Sequence, residues 1–365
     1  SNSALSLNGP AIADTTPPLS YISALYRWQK GSQALALPIA DLLRLQAISG
    51  IDPFSSPAAT RQMLDIVGEI QRHKLSIDEL DFTFRHVATH ERLGRFKEEG
   101  KRLHQRAKRA LDDAFTLADV EDFLSREVAQ LSLLSSPAIR AILTHMRQQP
   151  AGNDLLEQFA GWLRLDSDAT GLVEDEIRLA DGTTQTNAAW QTYVRLVKIA
   201  RLYAQMDLGE AALLTASNTL HSPLSIFPPS TLPVAGDTAL PASERQALFA
   251  QWRALHELTV VRERFAAKQR ALWQVYEEVA AVSGSDPYLL SWQWLAGQVE
   301  LTGLDVGLLI GPKLLGLPLA AHNAGPSEWL RFLDAATVVE RLGAPVESLV
   351  RWVSDTLNLD TSAEM

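Results

Sequence analysis

The sequence predicts an all-α protein of many helices, arranged as irregular helical-hairpin repeats in two or more lobes. Three observations predict it. Apolar residues make up 46% of the 365 positions, with Leu and Ala prominent, whereas the alternating Val/Ile/Thr patterns of strands are scarce. Long stretches place apolar residues at helical spacing with polar residues between them. The same helix starts and stops also recur. Ser49-Gly50-Ile51-Asp52-Pro53-Phe54 and Ser283-Gly284-Ser285-Asp286-Pro287-Tyr288 both read Ser-Gly-x-Asp-Pro-aromatic. Leu37-Pro38-Ile39, Leu75-Ser76-Ile77 and Ala344-Pro345-Val346 each put an apolar residue and then Pro or Ser at a helix start. The period is uneven, so the pattern is one of degenerate hairpins rather than a regular solenoid.

In chain order, residues 1–18 read as a cleavage scar (Ser1-Asn2) and an extended lead-in. Leu19 to Gly50 reads as two helices joined by a tight turn, with Ile39, Leu42, Leu43, Leu45, Ala47 and Ile48 on the apolar side of the second. Pro38 suits a first-turn position, and Gly50 the left-handed stop. Asp52-Pro53 is expected to start the next helix, Pro53 to Lys74, burying Met63, Leu64, Ile66, Val67 and Ile70. Ser76 to His90 follows, with Ser76 and Glu79 at capping-box spacing. Glu91 to Ala110, Phe115 to Leu134 (with a looser box at Thr116 and Asp119) and Pro137 to Arg147 are further helices, then Asp154 to Leu165. The polar stretch from Asp181-Gly182 to Asn187 admits a short hairpin or a surface loop. Trp190 to Met206 carries a stripe of Tyr193, Val194, Val197, Ile199, Ala200 and Tyr203, and Asp207 with Glu210 offers another box.

Five prolines between His221 and Ser243 argue against a helix there and mark a linker or surface excursion, part of which packs down through Leu224, Ile226 and Phe227. Glu244 to Ser283 is the longest helical pattern, one helix or two, and Glu328 to Leu357 closes the chain with two more. The expected division is therefore a helical lobe over 19–220, within which 88–220 is a candidate insertion, a Pro-rich linker over 221–243, and a second helical lobe over 244–365. The end, Asp360 to Met365, has no stop signal of its own, which suggests a fragment of a larger polypeptide.

Composition excludes several chemistries. The net charge is −10 and the pI about 5.3, without the basic footprint of a general nucleic-acid binder. There are no cysteines, so disulfides, thiolate metal sites and cysteine nucleophiles are out of reach. No run approaches the ~20 apolar residues of a membrane-spanning helix, and no signal peptide is visible.

No catalytic constellation stands out. His86 and His90, four apart, would share a helix face, but two histidines without a His-Glu-x-x-His pattern read as surface or cap residues. Glu91 to Ala110 holds eight Lys or Arg against three Glu; it could meet an acidic partner or lipid headgroups, although a solvated helix face is the simpler reading. Gly94 and Gly100 weaken that helix. Asp166-Ser167-Asp168-Ala169-Thr170-Gly171 echoes a calcium loop at positions one, three and six. Ile177 stands where the twelfth-position Glu should be, so an acidic turn is the better reading. Gly311-Pro312-Lys313 lacks the order of a phosphate loop, and Glu98/Glu99 and Glu277/Glu278 point to different helix faces. Trp292 and Trp294 lie too close in sequence to share a face, and both are read as core. No catalytic, cofactor-binding or metal-ligating residue is assigned.

The stretch SALYRWQKGSQALALPIADLLRLQAISGIDPF, Ser23 to Phe54, resembles helical segments in the A subunits of bacterial insecticidal toxin complexes, the Tc toxins. There an LSALYR helix leads into a segment of the form LxLSxxDLLxLxxLxGxDPF. Ile66 to His86 resembles the segment that follows it, and Leu330 to Val353 a further one. The resemblance covers both ends of the chain; residues 89–241 match less clearly. It implies a place in the α-helical shell around a translocation channel, in a secreted virulence factor that assembles as a homopentamer. Such a subunit binds target-cell surfaces through a receptor or glycan and delivers a toxic component with partner B and C subunits. Domains of that family carry a neuraminidase-like label, but this chain has no Ser-x-Asp-x-Gly-x-x-Trp box and too few strands for a propeller, so glycosidase activity is not carried over. The expected role is structural and adhesive rather than enzymatic. One alternative is a helical interaction scaffold unrelated to toxins, with an exposed apolar patch near Trp292 and Leu295. Another is an enzyme whose pocket gathers His86 or His90 beside carboxylates.

Overall fold

Helices dominate the computed structural model, which describes residues 19–87, 90–111, 114–148, 155–165, 172–174, 176–178, 184–215, 222–234, 241–266, 272, 292, 296–297, 306–318 and 324–353. The chain divides into two compact units after Asp81. That division lies inside the 19–220 lobe expected from the sequence, and not at the Pro-rich stretch.

The first unit begins with α1, Leu19–Leu35, and α2, Ile39–Ser49. α1 runs straight through Gly31, where a Cβ would come within 2.8 Å of the Phe54 ring; Phe54 in turn meets Trp28 edge-on at 5.0 Å. Gly31 is therefore a packing glycine and not a break. α2 ends as read: Gly50 is left-handed and its N–H donates to the Gln46 carbonyl at 2.7 Å. Asp52-Pro53 does not open the next helix. The Asp52 carboxylate accepts from the Phe54 N–H at 2.9 Å and its carbonyl from the Ser55 N–H at 3.2 Å, a closed turn. α3, Pro57–Arg72, starts four residues later, with Ser56 as its cap and Pro57 at the first position. It buries Met63, Ile66, Val67 and Ile70, while Leu64, expected on that side, is half exposed. α4, Ile77–Arg85, ends five residues short of the expected His90.

In the second unit, α5, His90–Ala110, α6, Leu117–Ser132, α7, Ser136–Gln148, and α8, Leu155–Arg164, lead to two three-residue strands. These are β1, Glu176–Arg178, and β2, Thr184–Thr186, paired antiparallel with Ile177 opposite Gln185; the stretch that admitted a short hairpin supplies its second strand, and the first lies just before it. α9, Ala188–Gln205, follows. It packs against α6, α7 and α8, and its burial extends beyond the expected stripe to Trp190, Leu196, Lys198 and Leu202. α10, Glu210–Thr215, is preceded by Asp207, which closes α9 in the left-handed region instead of capping α10.

The Pro-rich stretch packs down as expected through Leu224 and Phe227, but it is not free of helix. It contains α11, Pro223–Ile226, and a 3-10 turn, Pro229–Thr231, each with proline at its first position, where no N–H is missed. Leu224, Phe227 and Leu232 are fully buried. α9 holds this segment down. The Tyr203 hydroxyl lies 3.0 Å from the Pro223 carbonyl and 2.9 Å from that of Phe227. Arg195 Nε donates to Leu232 O at 3.1 Å, and Lys198 Nζ to Pro233 O at 2.7 Å. α12, Ala242–Ala266, α13, Val306–Ile310, and α14, Pro326–Leu342, complete the named helices, with a last helical segment over 346–353. Phe265 of α12 stacks on Trp329 of α14 at 6.2 Å. The expected continuation of α12 to Ser283, the second Ser-Gly-x-Asp-Pro stop, Trp294, Glu277/Glu278, the acidic stretch 166–171 and both chain ends lie outside the described residues.

One device recurs at five corners. A left-handed residue is followed by an apolar residue, then by a cap, then by the next helix. The left-handed residues are Ala36, Lys74, Leu133, Asp207 and Gly343. After them come Leu37-Pro38, Leu75-Ser76, Leu134-Ser135, Leu208-Gly209 and Ala344-Pro345. At three corners the apolar residue's N–H reaches the carbonyl five residues back: Leu37 to Ser32 and Leu75 to Ile70, both at 3.0 Å, and Leu208 to Tyr203 at 2.9 Å. This is the six-to-one bond of a Schellman stop. The three starts visible in the sequence belong to this larger set, which makes the fold an irregular series of helical hairpins.

Candidate interaction surface

Surface apolar residues make the most distinct candidate, and α1 carries the clearest set. Leu19 is 83% exposed and Leu25 69%, with Ile22 and Tyr26 half exposed or more. Leu19, Ile22 and Tyr26 fall at i, i+3 and i+7, one face of the helix, and Leu25 sits beside them. Contiguous exposed apolar surface of this kind marks an interaction site more often than a scattered Leu does. Helical spacing in LSYISALYRW announces an apolar face, but spacing cannot tell a buried face from an uncovered one. At the other end, Val338 and Leu342 of α14 and Trp352 and Val353 are also exposed.

The titratable groups singled out in the sequence do not converge. His86 lies beyond the end of α4 in the left-handed conformation, and His90 begins α5, so the two share no helix face. The His86 ring rests on Phe82 at 4.9 Å, and its buried Nδ1 has no hydrogen-bond partner among the described residues. Burial, then the charges of Lys198 and Lys97, push its pKa down to about 3. The resolved neighbours that perturb it are thus cations, not carboxylates. His104 is buried beside Trp162, 3.1 Å from that residue's carbonyl, and burial lowers its pKa as well.

The basic helix α5 is occupied largely within the chain. Lys97 pairs with Glu174, Arg106 with Glu127 at 2.6 Å and Lys101 with Glu98 at 3.3 Å. Glu99 of the same helix meets Arg201 at 3.0 Å. Several of its charges therefore have protein partners, and the stretch reads as a solvated, partly ion-paired face. Trp292 is buried against Phe332 at 4.9 Å and donates to Pro318 O at 2.6 Å, so it presents no surface patch. Among the described residues no three His, Asp or Glu side chains are placed to hold a metal ion, and no helix is long and apolar enough to cross a membrane.

No family model matches the chain, and no curated protein or solved structure matches it.

Proposed function

We propose that the chain is a non-catalytic segment of the helical shell of a Tc-type toxin A subunit, secreted and pentameric in its full-length setting. In this reading it encloses the translocation channel with other segments of the same long polypeptide and offers a surface to the target cell. The observation that carries the reading is the order of three segments resembling that family, Ser23–Phe54, Ile66–His86 and Leu330–Val353. The first two coincide with helices joined by left-handed corners at Ala36 and Lys74. The exposed stripe of Leu19, Ile22, Leu25 and Tyr26 supports an adhesive or packing role.

The test is binding of the labelled protein to intact insect cells, with and without enzymatic removal of surface glycans, beside a variant carrying Ile22→Glu and Leu25→Glu. Saturable binding by the parent that the variant loses supports the adhesive role, and glycan sensitivity names the ligand class. Equal binding by both proteins removes α1 from that role. No saturable binding by a folded sample leaves the chain an architectural piece only.

A further inference from the structure

A cleft of about 500 Å³ opens in the second unit, between α9, the segment after the 3-10 turn, and the first turns of α12. It is of the size that holds a small ligand. Leu232, Val234 and Leu248 line it and are themselves buried. Arg195, Ser230, Thr231, Glu244 and Gln251 supply the polar part of the lining. Arg195 uses Nε to hold the Leu232 carbonyl, and no carboxylate stands at ion-pair distance from its guanidinium among the described residues. Burial of that guanidinium lowers its pKa, the mark of a cation that has lost water without gaining an anion. A cation in a largely apolar cleft with no anion beside it describes the partner that is missing.

We propose that this cleft binds a small organic carboxylate with an apolar body, the chemistry shared by N-acylated amino acids and the carboxyl end of a peptide. The carboxylate pairs with the free edge of the Arg195 fork, and the apolar side chain lies on Leu232, Val234 and Leu248. Glu244, exposed on the rim in the first turn of α12, disfavours phosphate and other dianions, which would meet a like charge. The walls are fixed in advance, because α9 pins the segment through Arg195 and Lys198 at successive carbonyls. The site is independent of the toxin-shell reading.

The experiment titrates the whole protein with N-acetyl-leucine and with acetyl-Gly-Gly-Leu, each beside its C-terminal amide, by calorimetry and ligand-observed NMR. One variant accompanies it: Ala247→Trp fills the mouth from an exposed position. The expected result is saturable binding of the acids and roughly tenfold weaker binding of the amides, the factor a charge-assisted hydrogen bond supplies. Ala247→Trp should abolish binding. Preference for the tripeptide over the free amino acid assigns the site to peptide ends, and the reverse to metabolites. Equal affinity for acid and amide, binding indifferent to Ala247→Trp, or no saturable binding at millimolar concentration each overturns the proposal.

Discussion

The Trp190 indole lies directly over the Cα of Gly100, so that a methyl group added there would overlap the ring. Gly100 sits mid-helix in α5, where glycine costs roughly 1 kcal/mol against alanine. Trp190 in turn stacks with Phe96 at 5.5 Å and Tyr193 at 5.6 Å. Gly100→Ala is therefore expected to destabilise the protein by about 2 kcal/mol despite the gain in helix propensity, because overpacking against a fixed ring outweighs it. Gly68 in α3 is the control. It is exposed with open space around it, and Gly68→Ala should stabilise by about 0.5–1 kcal/mol. Urea unfolding of both variants checks the pair. A stabilising Gly100→Ala would mean the helix and the ring are free to separate.

Gly100 also shows where sequence reading stops. In the sequence it only weakens a basic helix, since nothing local says that a tryptophan ninety residues on will lie across it. Local signals carried the fold a long way: Gly50 ends α2 as a left-handed cap, and the Thr116 hydroxyl and Asp119 carboxylate form a full reciprocal capping box. Both depend on atoms within a few residues. The misplaced starts have a similarly local cause, because Asp-Pro serves a turn as well as a helix, as Asp52 shows. In the Pro-rich stretch Leu224 and Phe227 pack down as their apolarity implies, whereas its short helical turns are not legible locally, because the backbone is held by Arg195, Lys198 and Tyr203 reaching over from a neighbouring helix. The exposed face of α1 and the cleft at Arg195 were equally invisible, since exposure and cavity walls are properties of packing rather than of spacing.

The half-buried His86 gives the chain an acid-side weakness. In the folded protein His86 has its pKa lowered to about 3, against about 6.5 when unfolded. Above the unfolded value both states are neutral and the group costs nothing. As pH falls between these values only the unfolded state takes the proton, so stability drops by at most roughly 1.4 kcal/mol per pH unit. His86→Asn keeps a residue that tolerates the left-handed backbone while removing the titration. Its unfolding free energy should fall less steeply than the parent's between pH 6 and pH 4. The two profiles superimposing would show that other groups control the acid transition. Lys198→Met should raise the His86 pKa, read from its imidazole NMR shifts, by removing one of the two cations beside it.

Leu133 makes the recurrent corner testable on its own. It is left-handed at φ 65° and 91% exposed, and its N–H bonds the Ala129 carbonyl at 3.0 Å, so it terminates α6 without burying its side chain. A non-glycine residue pays about 1–2 kcal/mol in that conformation. Glycine relieves the strain but gives back part of it through the greater freedom of the unfolded chain. Leu133→Gly is thus expected to stabilise by about 0.5–1 kcal/mol, visible as a rise in the urea midpoint at unchanged slope. Gly343 occupies the same position after α14, at φ 58°, and Gly343→Leu should destabilise by a similar amount. Opposite signs at the two sites identify the backbone conformation as the cause. A loss of stability in Leu133→Gly would instead assign the leucine an apolar contact of its own.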